Sequence, residues 1–95
     1  MVWIFEVIDK SGRKIHLSKE RWVHINKEHP EVAPHLEDVE ETLVSPLKVV
    51  QDKYDADVYY YYKYFKRRQS YLLVIVKYLN GEGFVITVYF VRNIR

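Results

Sequence analysis

Positions 2–8 are almost wholly apolar, and positions 13–17 alternate toward Ile15 and Leu17, with the turn residues Lys10-Ser11-Gly12 between them. This spacing predicts a short β-hairpin. The period then becomes helical. Ser18 stands where an N-cap belongs, and in SKERWVHINKEH the residues Trp22, Ile25 and His29 fall on one side. Pro30 ends this helix at or just before His29, because a residue preceding proline avoids the α region. Pro34 is suited to open a second helix, with Leu36, Val39 and Leu43 as its apolar stripe and Glu37, Asp38, Glu40 and Glu41 as its wet face. Ser45-Pro46 stops it. Beyond that point the period is two, predicting strands at 47–51, 58–65, 71–79 and 84–91, with a polar loop at 52–57.

The order β-β-α-α-β-β-β-β gives one α+β domain over residues 1–95. An N-terminal hairpin and two helices pack on a curved, mostly antiparallel four-stranded sheet. The last hairpin poses a problem of register. Leu72, Val74, Val76 and Tyr78 form one face of its first arm, and Phe84, Ile86, Val88 and Phe90 form one face of the returning arm. A two-residue Asn80-Gly81 loop sets Lys77 beside Phe84. An odd-length loop with a glycine bulge aligns the two apolar faces instead. The pattern favours the odd loop, which brings Lys77, Thr87 and Tyr89 together on the opposite, open face and leaves the helices to cover Phe84, Ile86, Val88 and Phe90.

Composition narrows the class. The chain is 48% hydrophobic and 16% aromatic, too apolar for disorder, and no window approaches 18 uncharged apolar residues. MVWIFEVIDK lacks the basic n-region and long apolar core of a signal peptide. With no cysteine there is no disulfide or thiolate chemistry, and a cytoplasmic protein without a membrane partner is the expectation. The formal charge of +2 conceals an asymmetry: residues 1–57 hold eight Lys/Arg against twelve Asp/Glu, and residues 58–95 hold seven against one. A basic C-terminal half suggests a face for a polyanion, or edge strands that use cations against aggregation.

Four histidines are present, His16, His24, His29 and His35, and their spacing matches no zinc motif. Neither a metal nor a cofactor is expected. His29, at a helix end ahead of Pro30, either caps the last carbonyls or serves as a general acid or base over the sheet edge. Lys77 on a greasy face is placed to stabilise a phosphate, and the hydroxyls of Thr87 and Tyr89 to bind it. In YYYYKYFKRRQ, aromatic and basic residues interleave. Tyr60 or Tyr62 is suited to stack a base while Lys63, Lys66, Arg67 and Arg68 attract phosphates, provided that tyrosine face is outside the core.

The segments RWVHINKEHPEV, VSPLKVV and LLVIVKYLNGEGFVITVYF, taken in order, resemble a group of phage- and toxin-associated nuclease-like domains. These belong to the barnase–EndoU–colicin–RelE-like (BECR) superfamily. The likeness runs from about Arg21 to Arg92 and rests on W-x-H-I-x-x-x-H-P-E, V-x-V-K and I-T-x-Y. It implies helices on a curved antiparallel sheet and metal-independent RNA cleavage on the concave face. By position it assigns catalysis to His29, Lys77, Thr87 and Tyr89. The family pattern has a basic residue before the histidine, where this chain has Glu28.

The leading expectation is therefore a metal-independent endoribonuclease in which the 2′-OH attacks its own phosphate, as in the toxin of a toxin–antitoxin or phage-related system. Its partners are then single-stranded RNA and an antitoxin protein. The alternatives are a non-catalytic RNA- or protein-binding module on the same scaffold, and an interaction domain that forms a homodimer through exposed aromatic strands.

Overall fold

Ser18 begins the first helix as its position requires. Its backbone is extended (φ −79°, ψ 153°), and its Oγ accepts from the Arg21 N–H at 3.1 Å, satisfying a donor that the first turn leaves free. A computed structural model describes residues 3–95, and in it this helix, α1, spans Lys19–Glu28. Val2, the expected first residue of the opening strand, lies outside the described residues. Pro30 ends α1 as expected. The segment Pro30–His35 is a 3₁₀ turn, and α2 starts later than Pro34, at Leu36–Val44. Two prolines four residues apart remove two N–H donors and bias the residue ahead of each, so a regular α-turn cannot form there. Val39 and Leu43 are fully buried, as the apolar stripe of α2 demands.

The strands are β1 (Trp3–Ile8), β2 (Lys14–Ser18), β3 (Lys48–Gln51), β4 (Val58–Phe65), β5 (Ser70–Leu79) and β6 (Glu82–Val91). They form one six-stranded sheet in the order β1-β2-β6-β5-β4-β3, not a four-stranded sheet with a separate hairpin. The join is a short parallel contact, Ile15 opposite Gly83 and His16 opposite Phe84, while the other neighbours are antiparallel. Gly83 makes this approach feasible. A Cβ there would lie 2.9 Å from Tyr78 Cε1, 3.0 Å from Val76 Cγ1 and 3.1 Å from Ile15 Cγ1.

The last hairpin corrects the expected turn. Leu79 pairs with Glu82 across a two-residue Asn80-Gly81 loop, both residues having positive φ (54° and 82°), and Lys77 does sit opposite Phe84. The apolar pattern is then recovered within the strand. Val76 faces Val85 and Ile75 faces Thr87, so Ile86 is an extra, unpaired residue in β6. This bulge turns Val88 and Phe90 to the helix side. Phe84 and Ile86, expected under the helices, are not there: Phe84 lies on the open face with His16, and Ile86 is exposed.

Each face carries its own apolar cluster. The helix side buries Ile15, Leu17, Ile25, Val32, Leu72 and Val74, among others. The open side buries Tyr60, Tyr62 and Leu73 without a covering helix, aided by Tyr71, Tyr89 and Ile94.

Asp9, between β1 and β2, anchors the hairpin to the core. Its Oδ1 accepts from the Ser11 and Arg13 N–H groups, each at 2.9 Å, and its Oδ2 accepts from the buried Tyr78 hydroxyl at 2.6 Å. Tyr61 shares a short hydroxyl contact with Tyr78. Burial pushes the Asp9 carboxyl up. The hydrogen bonds from Tyr78, Ser11 and Arg13 outweigh it and hold the group below the usual carboxylate range. Burial likewise drives the Tyr78 and Tyr61 hydroxyls upward.

Two expectations follow. Gly83→Ala forces a methyl among three buried side-chain ends and should cost about 1–3 kcal/mol, read as a lower urea midpoint at unchanged slope. For Asp9, the depressed folded value means that its stabilisation is present above about pH 4 and is lost as the pH falls further. Asp9→Asn should flatten that acid limb and cost about 1–3 kcal/mol at neutral pH, measured by urea unfolding at pH 3 and 7. An acid limb identical to the parent's would refute the role given to Asp9.

Candidate active site

The parallel contact between β2 and β6 ends at Phe84, so the edge of β6 beyond it has no strand neighbour among the described residues. α1 and the 3₁₀ turn run along that edge instead. At the end of α1, the His29 N–H still donates to the Ile25 carbonyl at 2.7 Å, but its backbone (φ −134°, ψ 71°) has left the helix under the influence of Pro30. The His29 ring thereby reaches the open side and stacks on Tyr89, with centroids 5.0 Å apart and planes 21° apart. The same six-residue turn brings His35 against Phe90 on the opposite side, edge-on at 5.3 Å. The turn wraps the sheet edge, one histidine to each face.

Thr87 shares the open face with Tyr89, two residues along β6, and is partly exposed. His29, Thr87 and Tyr89 are thus brought together. Lys77 lies on that face, diagonal to Thr87, whose partner is Ile75, but well away from Tyr89. Tyr89 pairs with Leu73, four residues from Lys77 in β5, or about 13 Å along the strand. The Lys77 Nζ is held 3.0 Å from Asp55 Oδ2. Backbone N–H donation from Asp57, then the hydrogen bond from Lys77, keep the Asp55 carboxyl low.

Glu28 does not confront the His29 ring. It reaches His24 Nε2 at 3.3 Å, one turn earlier on α1. The carboxylate beside His29 is Glu31, with Oε2 3.8 Å from Nδ1, beyond hydrogen-bond length. About a third of the His29 side chain remains exposed. Stacking fixes the ring plane and leaves the ring accessible for proton transfer.

The aromatic and basic residues of the β4–β5 hairpin divide between the two faces. Tyr62 is fully buried and Tyr60 nearly so, so neither is free to stack a base as expected. The Tyr60 hydroxyl donates to Asp52, which lowers the Asp52 carboxyl and raises the tyrosine. The Arg95 guanidinium covers its ring at 4.9 Å, and Arg95 Nη1 donates to its hydroxyl at 3.3 Å. The aromatic rings left accessible nearby are Tyr64, 47% exposed, and its neighbour Tyr71. Lys63 points to the helix side and pairs with Glu41 of α2 at 3.1 Å. Lys66, Arg67 and Arg68 form a 3₁₀ turn that ends in left-handed Gln69 (φ 49°). Arg68 folds over the Phe90 ring at 4.1 Å.

Sequence reasoning did not anticipate a second histidine site at the far end of the open face. His16 is buried between Trp3 (4.4 Å) and Phe84 (5.3 Å), with Nε2 2.6 Å from Glu82 Oε1. Its Nδ1 is 2.8 Å from Glu6 Oε2 but out of line for a hydrogen bond. Alternation in KIHLS places His16 opposite the two buried residues Ile15 and Leu17, a visible signal, but nothing local reveals Glu82 as its partner. The carboxylates lie on opposite edges of the ring, and no group of three potential metal ligands exists among the described residues. The arrangement staples β1, β2 and β6. Neither a protein-family model, a curated protein nor a solved structure matches this chain.

Proposed function

We propose that the chain is a metal-independent ribonuclease acting at His29, Tyr89 and Thr87 on the helix-free face of the sheet. The supporting observation is the stacking of a partly exposed His29 on Tyr89, with the Thr87 hydroxyl on the same strand face. In this reading His29 removes the 2′-OH proton, and the resulting oxygen attacks the adjacent phosphorus. The 5′-oxygen of the next nucleotide leaves with a proton from His29 or water, giving a cyclic phosphate and a free 5′-hydroxyl. Thr87 and Tyr89 donate to the phosphate oxygens as charge builds on them. Lys77, seated on Asp55 and remote from His29, is not assigned to that phosphate.

A non-catalytic RNA-binding module is the second reading. The Lys77–Asp55 pair favours it, because that pair withholds a cation from a phosphate held at His29. Incubation of the purified chain with mixed RNA in EDTA separates the two. Fragments from the parent, reduced about 10²–10⁴-fold by His29→Ala with an unchanged circular dichroism spectrum, support the ribonuclease. Intact RNA with the parent, or equal cleavage by the variant, overturns it. Growth arrest on induction that His29→Ala relieves would extend the assignment to a toxin.

A further inference from the structure

Beside Phe90 the sheet ends in an open cleft of about 410 Å³, lined by Arg68, Ser70, Phe90, Val91 and Arg92. The tight 3₁₀ turn between β4 and β5 brings Arg68 back over the strand ends and leaves Lys66 and Arg67 in solvent. Arg68 is fixed by the ring of Phe90 rather than by an acid. Phe90 is itself braced by Phe65 at 5.6 Å and His35 at 5.3 Å. Tyr71 and Val91 form the last pair between β5 and β6, and Ser70 and Arg92, the next residues, both line the cleft. Ser70 is 8% exposed and forms the floor.

The electrostatics of this end are one-sided. Among the described residues, Lys63 and Lys77 of the C-terminal half are neutralised by Glu41 and Asp55. Lys66, Arg67, Arg68 and Arg92 have no carboxylate of the described residues within ion-pair distance. A guanidinium held flat on an aromatic ring keeps its outer N–H groups free and loses little freedom when it meets a bidentate oxyanion. Arg68 so held, with Arg92 and Ser70 lining the same cleft, offers donors that match the oxygens of a phosphate.

We propose that the Arg68–Arg92 cleft is a phosphate-binding site that holds the backbone of single-stranded RNA on the opposite side of β6 from the His29–Tyr89 pair, for a strand that crosses the sheet edge. Arg92 lies three residues beyond Tyr89, just past the end of β6 and about 10 Å along the chain, a spacing that a neighbouring nucleotide can span. That the phosphate belongs to RNA rests on the ribonuclease reading above; that the cleft takes phosphate does not. The site also differs from the tyrosine face at which base stacking was expected, since it lies on the helix side of the sheet.

The test uses a fluorescein-labelled single-stranded oligodeoxynucleotide, which 2′-OH attack cannot cleave, so binding is read independently of catalysis. Arg68→Ala and Arg92→Ala should each weaken binding about tenfold and lower the slope of log affinity against log salt by about 0.7. Arg67→Ala, which does not line the cleft, should change the affinity less than either. Arg68→Lys, which keeps the charge and loses the flat stack, should fall between parent and alanine. Inorganic phosphate should shift the Arg68 and Arg92 side-chain Nε–H resonances and compete with the oligonucleotide. Equal affinity and salt slope for parent and both alanine variants would overturn the RNA assignment. If phosphate still shifts those resonances in that case, the cleft serves a free phosphate ligand; if it does not, the site itself is refuted.

Discussion

Strand β6 must satisfy two demands that a regular strand cannot meet together, and the rest of the molecule follows from how it does so. Asn80-Gly81 adopts the tight loop whose twist suits a hairpin, which puts Lys77 opposite Phe84. Burial of Val88 and Phe90 under the helices requires the other register. One unpaired residue, Ile86, reconciles them. Before the bulge, β6 offers Gly83 and Val85 to the core and Glu82 and Phe84 to the open face, where they clamp His16. After it, Val88 and Phe90 face the core, and Thr87 and Tyr89 the candidate site. The local cost is one interrupted ladder position. Without the interruption, either the His16 clamp or the Phe90 packing would be turned to the wrong face.

The N-terminal hairpin depends on this arrangement, because its parallel contact with β6 covers only two residue pairs. Buried polar groups supplement that short ladder. Asp9 receives donors from its own turn and from Tyr78 of β5, and His16 bridges toward Glu6 and Glu82 between two aromatic rings. Removing a partner leaves the buried Asp9, Tyr78 or His16 unsatisfied away from water, so these contacts make the hairpin's seat specific more than they add net stability.

Charge is redistributed on folding. The acidic and basic halves of the sequence are not segregated in space, since Glu41 meets Lys63 and Asp55 meets Lys77. What remains positive is the β4–β5 turn together with the end of β6. The tyrosine run, which looked like a stacking platform, spends Tyr60 and Tyr62 on a second apolar cluster instead. The His29–Tyr89 pair at the sheet edge and the Arg68–Arg92 cleft are separated by the thickness of β6, and one 3₁₀ turn wraps that edge.

Local sequence determined much of this. The Ser18 cap, the end of α1 at Pro30, the stripe of α2, and the strands at 47–51, 58–65, 71–79 and 84–91 depend on near-neighbour sterics and periodicity, and each is legible in a short window. Lys77, Thr87 and Tyr89 do share one face, but through the Ile86 bulge and not through the odd-length loop from which it was expected. Partners distant in sequence were not legible. That β2 pairs with β6 and makes the sheet six-stranded, that Glu82 reaches His16, and that Asp55 captures Lys77 depend on which strands come to lie together. Alternation shows that Tyr60 and Tyr62 share a face, but whether that face is dry is decided by what packs over it. A bulge likewise leaves no mark in β-propensity, because it resolves a conflict between a turn and a core that only meet in the folded chain.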